Sequence, residues 1–234
     1  MNFDSIKQRI LRLADRDKAQ ILRGFFKTGP GQYGEGDIFL GVTVPVLRKL
    51  AKECKKTSAA DAFRLLRSSI HEERLLALFL LIERYRKGDD SQKKEIYEGY
   101  LKSTRYINNW DLVDLSAPNI VGNYLSGRSR KPLYDLARSS SLWDRRIAIL
   151  ATFSFIRQNQ FSETIKIAKI LISDEHDLIH KAVGWMLREV GKRNLSIEEE
   201  YLLAHYRKMP RTMLRYAIER FPEDRRKQYL ASSV

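Results

Sequence analysis

The apolar residues of this chain follow helical spacing almost throughout, and this constrains its fold more than any other feature. Nearly every stretch longer than ten residues places apolar residues three and four positions apart, as one face of an α-helix requires. No run bounded by turns alternates strictly between apolar and polar residues, which is the pattern of a half-buried strand. The sequence therefore predicts an all-α protein.

A short helical segment also recurs along the chain. Five segments, each with a charged residue before a small or apolar run, begin at spacings of 37, 35, 35 and 34 residues. Their first residues are Arg74, Asp111, Arg146, Lys181 and Arg215. A period near 35 residues with two helices per unit is typical of an α-solenoid, because each pair buries its apolar face only by stacking on its neighbours. We therefore expect a single solenoid domain over residues 1–234, with a concave surface.

Helix start and stop signals place the individual elements. Thr43 and Pro45 begin one predicted helix, Ser58 precedes the next, and Gly88 ends the one after that. Because Pro118 has no amide hydrogen, the helix that begins with WDLVD must kink or end there. The predicted helices span residues 44–55, 59–67, 72–87, 91–103, 110–118, 131–140, 143–157, 163–173, 177–192, 197–208 and 211–221.

Composition narrows the class of protein. With 43 Lys and Arg residues against 29 Asp and Glu residues, the net charge is +14, which favours a polyanionic partner. Nucleic acid is the first candidate and an anionic membrane surface the second, while a basic surface without a specific partner is the alternative. The longest apolar run, residues 75–82, is far shorter than the roughly 20 residues of a membrane helix. The N-terminal residues do not have the pattern of a secretory signal, so we expect a cytoplasmic protein.

Several familiar motifs do not point to chemistry here. Residues 29–34, GPGQYG, fit a dinucleotide-binding pattern, but no βαβ unit surrounds them, so we interpret them as a loop. His176 and His180 lie four residues apart with no evident third ligand, and the single cysteine, Cys54, excludes a multi-thiolate site. A phosphate-binding loop and a nucleophile elbow are both absent from the sequence. We therefore expect neither a metal nor a cofactor.

Trp185 is surrounded by cations on its predicted helix. At helical spacing it shares a face with Lys181, Arg188 and Lys192, away from the apolar stripe. An aromatic ring among cations is typical of a nucleic-acid surface, because the cations bind phosphates and the ring packs on a sugar or base. A Trp covered by the aliphatic parts of Lys and Arg at a contact between repeats is the equal alternative. The apolar stripe consists of Ile179, Ala182, Val183, Met186 and Val190.

Trp110 and Asp114 form a second unusual pair. They lie four residues apart on one helix face, just before the break that Pro118 imposes. A carboxylate beside an indole is costly unless it is solvated, hydrogen-bonded or used in function, although a capping or ion-paired Asp is the simpler interpretation. In the next repeat, Arg145 and Arg146 open the helix, and the repeat register aligns Arg146 with Asp111. A surface charge or a phosphate contact would account for either Arg.

These segments resemble the AlkD-type DNA alkylation-repair glycosylases, which are built from HEAT-like helical repeats. The resemblance extends over nearly the whole chain and is most specific in WDLVD and HKAVGWMLRE. The active cleft of that family contains a Trp, an Asp four residues later, an Arg and a second Trp. These match Trp110, Asp114, Arg146 and Trp185 of this sequence.

The resemblance implies a monofunctional glycosylase that releases cationic alkylated purines, such as 7-methylguanine and 3-methyladenine, from duplex DNA without a metal or cofactor. It implies that Asp114, Trp110 and Trp185 are catalytic and that Arg146 holds a backbone phosphate. We add Arg145, Lys181 and Arg188 as expected DNA contacts. Phe25, a further expected contact, replaces a Tyr of the family, so this wall of the cleft lacks a hydroxyl group. We expect the protein to act as a monomer.

Two other functions remain open from the sequence. The same basic surface could bind branched or distorted DNA without catalysis, although such binding gains little from a carboxylate at Asp114. A HEAT-like scaffold for protein partners is the other alternative. DNA binding through Lys and Arg weakens steeply as salt rises, and a protein scaffold would not show this behaviour.

Overall fold

The computed structural model describes residues 3–234, and these divide into two compact units at residues 116 and 117. The described residues form α-helices with short 3₁₀ and π turns, and their only β pairing is an isolated bridge between Ile38 and Ile70. The predicted all-α fold of repeated helices is therefore confirmed. Within residues 3–234, no helix has the length and apolar character needed to cross a bilayer. The single domain over residues 1–234 stays a prediction.

The first unit is organised around one long buried helix. Its helices are α1 (Phe3–Leu11), α2 (Arg16–Phe25), α3 (Val44–Glu53), α4 (Ala59–Leu65), α5 (His71–Lys87), α6 (Asp90–Lys102) and α7 (Trp110–Ser116). Helices α3, α4, α6 and α7 all pack against α5. The apolar run at residues 75–82 is completely buried in α5, since neighbours cover this helix on every side.

The second unit has α13 at its centre. Its helices are α8 (Asn123–Leu125), α9 (Lys131–Ala137), α10 (Leu142–Ala151), α11 (Phe153–Ile156), α12 (Ser162–Ile170), α13 (Asp177–Gly191), α14 (Leu195–His205), α15 (Arg211–Ala217) and α16 (Glu223–Leu230). The predicted apolar stripe of α13 is buried in full. Gly184 lets α13 approach α15 closely, because a Cβ atom there would lie 2.4 Å from the carbonyl oxygen of Met213.

Most predicted element positions are confirmed. The first four recurrent segments lie in α5, α7, α10 and α13, and the fifth begins in α15 and continues into a 3₁₀ turn, Ile218–Arg220. Residues 29–34 form a loop of turns. Helix α7 ends at Ser116, and a π-helical turn, Pro118–Gly122, follows it, as expected from the proline. The single helix predicted over residues 143–157 is wrong. It is divided between α10 and α11 at Thr152, whose hydroxyl donates to the carbonyl of Ile149 at 2.6 Å and competes with regular helix bonding.

Candidate active site

Trp110 lies at the start of α7 on a platform of aromatic rings. Its ring is stacked on Phe26, with centroids 5.2 Å apart and planes inclined by 20°, and Phe25 contacts it edge-on at 5.8 Å. Phe26 is buried, whereas Phe25 is 60% exposed and Trp110 is half-buried. The end of α2 and the start of α7 thus combine a fixed ring, Phe26, with two rings that solvent reaches. Phe25 and Trp110, both predicted site residues, are in contact.

The platform continues inward to a histidine. Phe26 stacks on Phe39 at 5.0 Å, Phe39 stacks on His71 at 4.5 Å, and Phe26 lies 4.9 Å from His71. The rings therefore form a continuous packed set from His71, the first residue of α5, to Trp110. A cationic imidazole is attracted to the faces of neighbouring aromatic rings, which favours this arrangement.

His71 is held between two buried carboxylates. Its Nε2 donates to Asp111 at 2.8 Å and its Nδ1 donates to Asp37 at 3.1 Å. Burial alone would lower the pKa of His71, but the charge and hydrogen bond of Asp111, together with the bond to Asp37, raise it to about 9. The imidazole is therefore protonated at neutral pH and can donate from both nitrogens.

Asp37 joins this ion pair to the start of α7. Its carboxylate also accepts from the guanidinium of Arg74 at 2.6 Å and from the amide of Asn109 at 3.2 Å. Although burial would raise the pKa of Asp37, the hydrogen bond from His71 and the charge of Arg74 lower it. The side chain of Asn109 accepts in turn from the backbone amide of Trp110 at 2.8 Å. We call Asp37, His71, Arg74, Asn109 and Asp111 the buried polar network.

Glu72 fixes the loop that carries Asp37. Its buried carboxylate accepts from the backbone amides of Leu40, Gly41 and Val42, at 2.8 to 3.2 Å. Gly41 has a φ of +84°, and a Cβ atom there would lie 2.1 Å from the carbonyl oxygen of Asp15. Only glycine satisfies both conditions, because an L side chain disfavours this φ and the space is occupied. The loop between α2 and α3 is therefore anchored to α5 through Glu72 and packed against the start of α2 at Gly41.

Asp114 lies one helical turn after Trp110. It is half-buried, and its position in α7 puts it on the same helix face as Trp110. The helix ends two residues later, as the sequence predicted. The first unit thus presents a carboxylate and an indole side by side, next to the exposed ring of Phe25.

In the second unit, the two adjacent arginines of α10 are engaged within the protein. Arg146 is only 4% exposed and donates to the carbonyl oxygen of Leu178. Arg145 forms an ion pair with Asp174 at 2.6 Å and donates to the carbonyls of Ser139 and Ser140. These contacts join the start of α10 to the first turn of α13 and to the loop before it. That either residue binds DNA stays a prediction.

Trp185 lies on the half-buried face of α13 among ion pairs. Its indole donates to Glu189 at 3.2 Å, and its ring lies 6.0 Å from that of Phe153. All three predicted cations of this face have acidic partners. Lys181 pairs with Asp177 at 2.6 Å, Lys192 with Glu189 at 2.6 Å, and Arg188 with Glu219. The face is therefore a set of cations and carboxylates around one indole, rather than cations alone.

The two histidines considered as metal ligands have structural partners. His176 caps α13 by accepting from the amide of Leu178 at its Nδ1, and His180 bonds the carbonyl of Asp174. Among residues 3–234 there is no group of three or more side chains suited to a metal ion.

Comparison with known proteins identifies the family. The sequence model of the family described as "DNA alkylation repair enzyme" matches residues 6–221, which is nearly the whole chain. The chain belongs to this DNA alkylation repair enzyme family. A solved structure titled as a predicted DNA alkylation repair enzyme from Enterococcus faecalis has a similar fold, with a TM-score of 0.69 and 16% sequence identity. The similarity covers 90% of this chain and 97% of that one. A search among curated proteins gives no significant match.

The family match includes every predicted site residue, yet the sequence did not indicate the buried polar network of this family member. Its contacts join residues 34, 40 and 72 positions apart, which no local pattern reveals. One signal was available, since Asp111 and Arg74 occupy equivalent positions of the recurrent segments. A charged residue in a position that packs against neighbouring repeats must find a buried partner.

Proposed function

We propose that this protein is a monofunctional DNA glycosylase that hydrolyses the N-glycosidic bond of cationic alkylated purines in duplex DNA. 7-Methylguanine and 3-methyladenine are the proposed substrates. The supporting observation is that Asp114 lies one helical turn after a firmly held Trp110, in a basic chain of the DNA alkylation repair enzyme family.

The proposed chemistry asks little of the protein beyond charge and position. Alkylation gives the purine a formal positive charge, so the bond from C1′ to nitrogen breaks with its electron pair going to a base that leaves neutral. The sugar then carries the developing positive charge, as in other glycoside hydrolyses. Asp114 stabilises this charge, orients the attacking water and accepts its proton, while the water oxygen adds to C1′. No protonation of the leaving group and no cofactor are needed.

Trp110 supports this step through its ring. Its indole face packs against the deoxyribose, and the negative charge density of that face favours the cationic sugar. Phe26 holds the ring from one side, and Asn109 fixes the backbone of Trp110. Phe25 offers a purely apolar edge beside it, so this position contributes packing on the DNA and no hydrogen bond.

The second unit supplies further proposed DNA contacts. Lys181 exchanges its carboxylate partner for a phosphate at modest cost, since exposed ion pairs contribute about 0–1 kcal/mol. Arg188, whose side chain is 15% exposed, contacts a phosphate by releasing Glu219. Trp185 packs on a sugar as a second aromatic contact. Arg146 and Arg145 hold phosphates of the backbone by giving up their contacts with the carbonyl of Leu178 and with Asp174. One chain carries all of these residues, so we propose that it acts on DNA as a monomer. We propose the cytoplasm as its location.

Product analysis tests the proposed function. Duplex DNA treated with a methylating agent is incubated with the protein at low salt, and both the released bases and the strand are analysed by mass spectrometry. We expect free 7-methylguanine or 3-methyladenine and an abasic strand that stays intact until it is treated with alkali. Release of no methylated base from DNA that the protein binds would reject the glycosylase and favour a protein that only binds distorted DNA. Cleavage of the strand without alkali would reject the monofunctional mechanism.

A further inference from the structure

A pocket rich in arginine lies beside the buried polar network in the first unit. It has a volume of about 300 Å³ and is formed where the loops before α5 and α7 meet the loop that carries Asp37. Arg67, Arg74 and Arg105 line it, together with Glu35 and Asp37. Neither the aromatic platform nor Asp114 is part of this lining, so the pocket is separate from the proposed site of hydrolysis.

The charge of the pocket comes from two exposed arginines. Inside the buried polar network, the cations His71 and Arg74 balance the carboxylates of Asp37 and Asp111, so the network adds no net charge. Arg67 and Arg105 are exposed, and neither has an acidic partner among residues 3–234. Glu35 is the one remaining acidic group of the lining, and it accepts from the amide of Gly31. A positive charge is therefore left over in the pocket.

The donors of the pocket suit a phosphate group. Arg105 is oriented by its neighbour, because its guanidinium donates to the hydroxyl of Tyr106 and lies 4.6 Å from the centre of that ring. The side chains of Ser69 and Asn108 add neutral hydrogen-bonding groups to the lining. Guanidinium groups bind phosphate oxygens through paired N–H donors, and a fixed guanidinium loses less conformational entropy on binding.

We infer that this pocket binds one phosphate of the DNA backbone. This inference rests on the proposed function only in taking duplex DNA as the ligand. Asp37 lines the pocket and also bonds Asn109, the residue before Trp110, so the bound phosphate lies next to the start of α7. Such a contact fixes the register of the strand relative to Trp110 without reading its sequence.

The salt dependence of DNA binding tests this inference. The affinity of the protein for an unmodified duplex is measured by fluorescence anisotropy between 50 and 200 mM salt, for the wild type and the double variant R67Q/R105Q. Loss of one phosphate contact lowers the slope of log K against log salt by about 0.9. We also expect affinity to fall about tenfold at the lowest salt, because charge-assisted hydrogen bonds are lost.

The control is R86Q/K87Q, which removes the same charge from the other end of α5. Arg74 and Arg86 lie about 18 Å apart along that helix, and Arg86 already pairs with Glu83. An equal change of slope in the two double variants would overturn the inference, since only the general charge would then matter. An unchanged slope in R67Q/R105Q would overturn it as well.

Two further results separate this inference from neighbouring possibilities. Calorimetric titration with inorganic phosphate alone tests for a site that takes the free anion. Binding of phosphate alone together with an unchanged DNA slope would overturn the inference. Base release and the salt slope also give independent answers. A reduced slope in R67Q/R105Q supports the phosphate site even if no methylated base is released, whereas base release with an unchanged slope rejects only the site.

Discussion

Removing the charge of His71 should abolish the loss of unfolding free energy that its titration causes between about pH 6.5 and pH 9. The substitution is His71→Gln. The pKa of His71 is about 9 in the folded protein and near 6.5 in the unfolded chain. Because the folded pKa is the higher one, the stabilisation is complete below pH 6.5 and is lost as pH rises to 9. A difference of about 2.5 pKa units corresponds to about 3 kcal/mol. The imidazole is 2% exposed, so solvent does not screen this contribution appreciably.

Urea unfolding followed by circular dichroism at pH 6.5, 8.0 and 9.5 measures this effect. Between pH 6.5 and 9.5, the wild type should lose about 3 kcal/mol of unfolding free energy more than His71→Gln does. His205→Gln is the control. Burial and the charges of Lys169 and Lys208 lower the pKa of His205. The titration of His205 therefore changes stability mainly at pH values below 6.5, outside the measured range. If the unfolding free energies of the wild type and His71→Gln change in parallel between pH 6.5 and 9.5, the claim that His71 is charged in the network beneath Trp110 is refuted.

Three further substitutions test the packing of the first unit and the charge of a buried carboxyl group in the second unit. Gly41→Ala should destabilise the protein by at least about 2 kcal/mol, because it combines an unfavourable φ with a backbone clash. Gly24→Ala, in open space on α2, should instead stabilise the protein by about 0.5–1 kcal/mol. Equal urea unfolding midpoints for Gly41→Ala and Gly24→Ala would contradict the role given to Gly41. Burial, and secondarily Glu199, raise the pKa of Glu198 to about 8, so stability falls as pH rises from 4.5 to 8. Glu198→Gln should therefore raise the unfolding free energy by about 2–4 kcal/mol at pH 8 and have little effect at pH 4.5. A gain of equal size at both pH values would show that the buried charge of Glu198 is not the cause.

Local sequence patterns were sufficient for the helices and for part of the site. Helical spacing located the recurrent segments, and the proline rule located the end of α7, because both depend on neighbouring residues. That Phe25 belongs to the site was expected only through the family resemblance, and its contact with Trp110 was found in the structure. The interpretation of Trp185 was incomplete, since the carboxylate of Glu219, which pairs with Arg188, comes from a distant segment.

Apart from the charges at Arg74 and Asp111, the sequence did not indicate the buried polar network, because its members come from the loop after α2 and from the starts of α5 and α7. No one of these segments shows by itself that His71 lies between two carboxylates. The sequence also does not show which aromatic residues of this segment are buried and which are exposed. Phe26 and Phe39 are buried, whereas the adjacent Phe25 is exposed, and only the packing of Trp110 and His71 decides which ring faces inward.

The role of Asp114 is tested most directly by single-turnover release of methylated purines from alkylated duplex DNA. Wild type, Asp114→Asn and Asp135→Asn are compared at saturating protein, with DNA affinity measured in parallel. Asp135 is an exposed residue of the second unit that pairs with Lys131, so its substitution controls for the loss of one carboxylate. We predict that Asp114→Asn slows release by about 10²–10³-fold with nearly unchanged affinity, and that Asp135→Asn releases base at the wild-type rate. Equal release rates for the wild type and Asp114→Asn would contradict the proposed mechanism.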